Sequence, residues 1–259
     1  MDAGSFADDF FNLIGLAPQE FAYALAVVLV AGLVRGFTGF GMSAIIVMAL
    51  SMIFPPAQIV PMALIMEVGA SARMLPPAWK DVDWPYARTL LVGGAIGVPL
   101  GVLLLVHLPV STMRAALSVF VLAMSSLIWT GFRFSGRPGK RWGYGVGLFA
   151  GVANGAASFG GQPIALFLLS TPVTAVSARA TIIFLAIVSS GYGALAAYAN
   201  GLVDSQTIVR VAVFLIPMAI GIAFGERRFH GAKPETYRRL ALGLLMSLAI
   251  IGLVRTAFG

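Results

Sequence analysis

Apolar residues run along this chain in long blocks, not in the short alternations of a half-buried strand. Blocks at 57–66, 89–106, 115–132, 180–203, 211–225 and 240–254 carry few charges. A bilayer core about 30 Å thick needs roughly 20 helical residues to cross it. With their flanks, these blocks predict membrane helices over 57–78, 86–107, 111–132, 176–198, 206–228 and 236–257. A membrane β-barrel would instead show many segments of alternating hydrophobicity. The pattern therefore predicts an all-α integral membrane protein. Pro99 and Pro217 fall near the middle of two predicted helices and are expected to kink them.

Two pairs of shorter apolar segments interrupt this rhythm, 21–35 with 41–54 and 143–154 with 160–170. A glycine-rich stretch separates the members of each pair, and the two stretches match. Gly32, Gly36, Phe40, Gly41 and Ile45 align with Gly151, Gly155, Phe159, Gly160 and Ile164. The match extends onward: Leu91, Gly97 and Gly101 pair with Leu215, Gly221 and Gly225, and Arg114 pairs with Arg238. The chain thus reads as a segment 1–20, a first repeat 21–135, a basic linker 136–142 and a second repeat 143–257. Each repeat holds one short-helix hairpin followed by three long helices.

Composition agrees with the membrane reading. Of the 259 residues, 59% are hydrophobic and only 10% charged, against about 25% charged in soluble domains. The net charge of +7 reads as loop charge that sets orientation, so no nucleic-acid partner is expected. There is no cysteine, which excludes disulfides, iron–sulfur clusters and thiol chemistry. The first twenty residues carry Asp2, Asp8, Asp9 and Glu20 and no basic residue, unlike a cleaved signal peptide. Phe6, Phe10, Phe11, Leu13 and Ile14 predict a short helix lying at the interface.

Charge also orients the repeats. One cluster holds Arg133, Arg137, Lys140 and Arg141; the other holds Arg227, Arg228, Lys233, Arg238 and Arg239. Positive loops stay cytoplasmic, so both clusters belong on one side. The second short pair and two full spans lie between them, so the pair makes no net crossing. It is expected to be re-entrant, with its glycine tip inside the membrane. Three crossings per half then invert the second repeat relative to the first and leave both termini outside, in a bacterial inner membrane.

Inverted repeats with broken helices at mid-membrane are a common transporter plan. At each tip a helix N-terminus offers free N–H groups and partial positive charge, an anion site in the making. The candidate substrate-binding set is Arg35, Gly36, Thr38, Gly39, Phe40, Gly41 and Ser43 from the first tip. The second contributes Asn154, Gly155, Ser158, Phe159, Gly160, Gly161 and Gln162. Pro163 suits the first turn of the helix that follows. Arginine at mid-membrane is costly, and a guanidinium matches oxyanions. A packing role stands beside this, because Gly32-xxx-Gly36 and Gly151-xxx-Gly155 are small-xxx-small spacings that let membrane helices close up. Glu67, the one acid deep in an apolar run, is either a proton carrier or a charge partner for Arg35 or Arg73. Ser189, Ser190 and Tyr192 form a polar patch, either pocket lining or packing. No catalytic constellation, cofactor motif or metal-ligand cluster appears; His107 and His230 stand apart at loop ends.

The paired "G-x-x-x-G-x-x-x-F-G" openings resemble those of the sulfite exporter TauE/SafE family over about 20–257. Many members carry "G-x-G-G-G" at the tip, where this chain has Gly39-Phe-Gly-Met-Ser and Ser158-Phe-Gly-Gly-Gln. The resemblance implies export of small sulfur-containing or organic anions such as sulfite, sulfoacetate or other sulfonates. The expected partners are that anion and the lipid bilayer, and self-association is compatible with the plan. An anion channel of the same fold and a non-transporting membrane scaffold or assembly protein remain as alternatives.

Overall fold

The computed structural model describes the backbone of residues 3–131, 138–229 and 234–258, and the side chains of 9–36, 39–131, 138–227 and 242–256. Within these residues the chain is helical, with no strand. The helices are α1 (Ala3–Ile14), α2 (Pro18–Thr38), α3 (Met42–Leu50), α4 (Pro56–Ala78), α5 (Trp84–His107) and α6 (Val110–Thr130). They continue as α7 (Lys140–Ala157), α8 (Gly161–Leu169), α9 (Ala175–Ala199), α10 (Ser205–Phe229) and α11 (Pro234–Phe258). By length and composition α2, α4, α5, α6, α9 and α10 are apolar enough to cross a membrane. Their outward faces carry Ile96, Leu195 and Ile216, each more than 60% exposed, as a lipid-solvated surface permits. Pro99 and Pro217 lie inside α5 and α10 as expected.

The first hairpin folds back on itself. Gly39 ends α2 at φ 76° with its N–H on the Arg35 carbonyl at 2.8 Å, and Gly41 precedes α3 at φ 89°. Both angles are left-handed, a region glycine enters without steric cost. The Tyr23 hydroxyl, early in α2, donates to the Ala49 carbonyl, late in α3, at 3.2 Å. One continuous helix would hold those residues about 39 Å apart, so α3 returns along α2. At the open end Arg210 donates to the carbonyls of Ile14 (2.8 Å) and Gly15 (3.0 Å) and lies 5.8 Å from the Phe54 ring centre. Chain leaving α3 therefore meets chain entering α2.

The arms differ from their expected lengths. α2 has 21 residues and α7 has 18, whereas α3 and α8 have nine each. Only the second arm of each pair is short. Arg35 and the neighbouring glycines suggested an early helix end, but Arg35 is paired and Gly32 and Gly36 are packed, so α2 continues to Thr38.

Glycines also fix the helix directions. Gly32 and Gly36 of α2 lie against Gly221 and Gly225 of α10, and Gly97 and Gly101 of α5 against Gly151 and Gly155 of α7. Residue numbers rise together in both contacts, so each pair is parallel. A Cβ at Gly155 would strike the Val98 carbonyl, and one at Gly36 the Ile222 carbonyl, so only glycine allows this approach. α4 and α9 cross the other way, with Leu64 beside Gly193 and Val68 beside Gly191. Contacts between the halves come in reciprocal pairs: α2 on α10 answers α7 on α5, while α4 packs on α9 and α6 on α11.

The predicted N-terminal helix forms as α1. Phe10 and Phe11 meet Phe21 edge-on, and Phe21 stacks on Phe214 of α10, which ties the segment to the bundle; the Phe6 side chain lies outside the described residues. All four tryptophans, Trp79, Trp84, Trp129 and Trp142, sit where α4 ends, α5 begins, α6 ends and α7 begins. Parallel α5 and α7 place these four sites at one end of the bundle. Tryptophan favours the membrane–water boundary.

Candidate functional site

The two glycine tips and the midpoints of α4 and α9 enclose one small buried cavity. Arg35 reaches it from the last turns of α2, Ser43 from the first turn of α3 and Glu67 from the middle of α4. Asn154 reaches it from the end of α7, Ser158 and Phe159 from the turn that follows, Gly161 and Gln162 from the start of α8, and Ser189 and Ser190 from α9. Its free volume of ≈20 Å³ is enough for about one water molecule.

The first-repeat wall is a connected polar network. Arg35 Nη1 lies 2.8 Å from Glu67 Oε1, with side chains 1% and 8% exposed. Arg35 Nη2 donates to Ser71 Oγ at 2.6 Å, and Ser43 Oγ donates to Glu67 Oε2 at 2.6 Å. The expected mid-membrane cation is therefore already matched by a carboxylate. Of the partners weighed for Glu67, the structure selects Arg35.

The second-repeat wall is open by contrast. Asn154 Nδ2 donates weakly to Ser190 Oγ at 3.4 Å. Ser158 Oγ and both amide atoms of Gln162 are buried with no hydrogen-bond partner, and so is Arg35 Nε across the cavity. Each unsatisfied buried group costs about 1–3 kcal/mol, so such a cluster calls for a reason. Ser158 adds a second one. It is the sole non-glycine residue at positive φ, 59°, among the described residues. The first repeat places Gly39 at the matching position, where glycine carries no penalty. A strained serine with an idle buried hydroxyl is a feature that active and binding sites retain.

The contacts on the two walls share one spacing. Arg35 and Ser71 are 36 residues apart, as are Asn154 and Ser190. Sequence reading missed Ser71, although this shared spacing could have found it. Ser189 and Ser190 line the cavity, whereas Tyr192 is 42% exposed on the outer face.

Not every predicted residue lines the cavity. Gly36 and Gly155 serve the helix contacts with α10 and α5. Gly160 backs onto Asn154 and Ala150 of its own hairpin. Gly39 lies against the Arg179 side chain, whose Nη2 donates to the Gly36 carbonyl at 3.3 Å. Phe40 is buried beside Gly161 but points into a neighbouring apolar cluster. The Thr38 side chain lies outside the described residues, as do Arg133, Arg137 and His230, and the side chains of Arg228, Lys233, Arg238 and Arg239.

Residues 24–251 match the family described as Sulfite exporter TauE/SafE. The chain belongs to this family. It is also 26% identical over 220 residues to a protein of Cupriavidus necator described as a probable sulfite/organosulfonate exporter TauE, covering 82% of this chain and 85% of that one. No solved structure matches the chain significantly. Family and fold together make this a multi-pass membrane transporter and not an enzyme.

Proposed function

We propose that this TauE/SafE protein is a secondary transporter of the bacterial inner membrane that exports small sulfur-containing or organic anions, with sulfite and short sulfonates such as sulfoacetate as the substrate class. The substrate site is the cavity between the two hairpin tips. The observation that carries this reading is the set of buried donors without partners, Ser158 Oγ, Gln162 Nε2 and Arg35 Nε, gathered on one cavity. An oxyanion satisfies several of them at once, and charge-assisted hydrogen bonds are about twice as strong as neutral ones.

The halves 21–135 and 143–257 act as inverted repeats. Support comes from the helix directions: α10 runs parallel to α2, α9 opposes both α10 and α4, and α5 opposes α4. With α7 parallel to α5, the two hairpins point in opposite senses. Both termini then face outward, and the four-tryptophan end faces the cytoplasm, where Lys80, Arg88, Lys140 and Arg141 also fall. Export is favoured electrically, since an anion leaving a negative interior gains about 2.3 kcal/mol per 100 mV.

Glu67 sets the terms of binding. The anion competes with its carboxylate for the Arg35 guanidinium, so a loaded site requires the pair to loosen. The small cavity favours alternating access over an open pore, and hence a transporter over the channel alternative. A scaffold would have no use for a strained serine beside an unpaired amide. Sulfite efflux from proteoliposomes tests the reading. Gln162→Ala and Ser158→Ala should each slow saturable efflux at least tenfold. Unchanged efflux in both variants sinks the site assignment, and absence of any anion flux in folded wild type sinks the transport reading.

A further inference from the structure

We propose a second anion site, separate from the central cavity, where the end of α3 meets the start of α6 and the last turns of α11. A cavity of ≈180 Å³ lies there, lined by Ser51, Ser111, Arg114, Ser118, Arg255 and Thr256, with Met48, Met52, Leu117 and Gly252 completing its wall. Among the described residues, two arginines and no carboxylate line it. This is the reverse of the central cavity, where Glu67 cancels Arg35.

Several features point to a ligand. Ser51 is 4% exposed, and its hydroxyl has no hydrogen-bond partner. Arg114 Nη2 is held by the Phe54 carbonyl at 3.2 Å, which leaves the guanidinium in place, yet its buried Nε has no partner. Ser111 and Arg114 occupy the first turns of α6, whose N-cap Pro109 offers no side-chain hydrogen bond to the first amides. A helix N-terminus with two cations and an idle buried hydroxyl suits an oxyanion. The ligand class is a compact multi-oxygen anion, either a free sulfate-like ion or the phosphate of an anionic lipid headgroup. α3 joins the two sites, with Ser43 of its first turn on the central cavity and Ser51 just past its last turn on this one. Nine residues of helix set the two serines roughly 12 Å apart.

Full-length protein in phosphatidylcholine nanodiscs is titrated with sodium sulfate at constant ionic strength, and the melting temperature is followed. A ligand that binds only the folded state raises it. Sulfate should stabilise wild type and Gly145→Ala alike, because the latter touches neither cavity. Arg255→Gln should shift the sulfate midpoint about tenfold upward through loss of one charged contact, and Ser51→Ala should weaken binding without lowering the sulfate-free melting temperature. A parallel arm uses nanodiscs containing phosphatidylglycerol. Arg255-dependent stabilisation there, with sulfate giving no further shift, names the lipid phosphate as occupant; a persisting sulfate shift names the free anion. If Arg255→Gln and Ser51→Ala titrate as wild type does, or neither arm moves the melting temperature, the proposal is overturned.

Discussion

Replacing Glu67 by glutamine keeps the shape of the side chain and removes its charge. At the 2.8 Å seen between Arg35 Nη1 and Glu67 Oε1, two unit charges attract by roughly 6 kcal/mol in a medium of effective dielectric 20. Desolvation of each ion costs several kcal/mol, so the intact pair contributes little net stability. Breaking it is different. Arg35, 1% exposed, would keep its charge with only Ser71 and a neutral amide as partners, and uncompensated buried charges cost about 3–5 kcal/mol. Glu67→Gln should therefore lose about that much in unfolding measurements on detergent-solubilised protein in a buffer of bulky anions. The double variant Arg35→Met/Glu67→Gln should recover to within about 1 kcal/mol of wild type. Sulfite should rescue the single variant, because the anion takes the place of the missing carboxylate. At a hundred times its dissociation constant it restores about 2.7 kcal/mol by mass action. The reasoning is refuted if Glu67→Gln is as stable as wild type, or if sulfite stabilises it no more than wild type.

Other outcomes follow from the same contacts. Gln162→Ala removes two buried amide atoms that lack partners, so its anion-free unfolding free energy should rise by about 1–2 kcal/mol while transport falls. Gly155→Ala drives a methyl into the Val98 carbonyl and should cost about 1–3 kcal/mol; Gly145→Ala, with open space around it, should melt like wild type. Asp204 caps α10 by accepting from the Thr207 amide and hydroxyl, both at 2.7 Å, and these bonds hold its carboxyl below the usual aspartate range. Its contribution is thus complete above the ordinary aspartate pKa and lost as pH falls through the lowered one, and Asp204→Ala should remove about 1 kcal/mol at neutral pH but little in strong acid. Reporters fused at positions 136 and 232 should both signal cytoplasm; opposite signals would break the inverted arrangement.

What the sequence disclosed depended on which physics each residue answers to. The long apolar blocks answer to bilayer thickness, a one-dimensional constraint, and α4, α5, α6, α9 and α10 appear close to their expected limits. The glycine repeats were equally legible as a pattern but ambiguous as a cause, because both close helix packing and ligand approach demand the absence of a Cβ. The structure divides them. Gly32, Gly36, Gly151 and Gly155 pack helices, whereas Gly41 and Gly161 line the cavity. The Arg35–Glu67 pair joins residues on different helices, and only the assembled bundle, with α3 and α10 packed against both α2 and α4, could choose it over Arg73. Ser158 was visible as a polar residue but not as a strained one, since its cost lies in a backbone angle. The departures from the family's glycine run take on meaning here. Where glycine would be cheapest, Ser158 brings an idle hydroxyl, and where the first tip has Ser43 bound to Glu67, the second has Gln162 bound to nothing. The charged wall pairs its two ions and leaves only Arg35 Nε unmet, whereas the uncharged wall holds the rest of the unmet hydrogen-bonding capacity at the cavity. In the transport cycle we propose, an anion that enters between them satisfies the second wall only by competing with Glu67 on the first, and that competition lets one site both bind its substrate and release it.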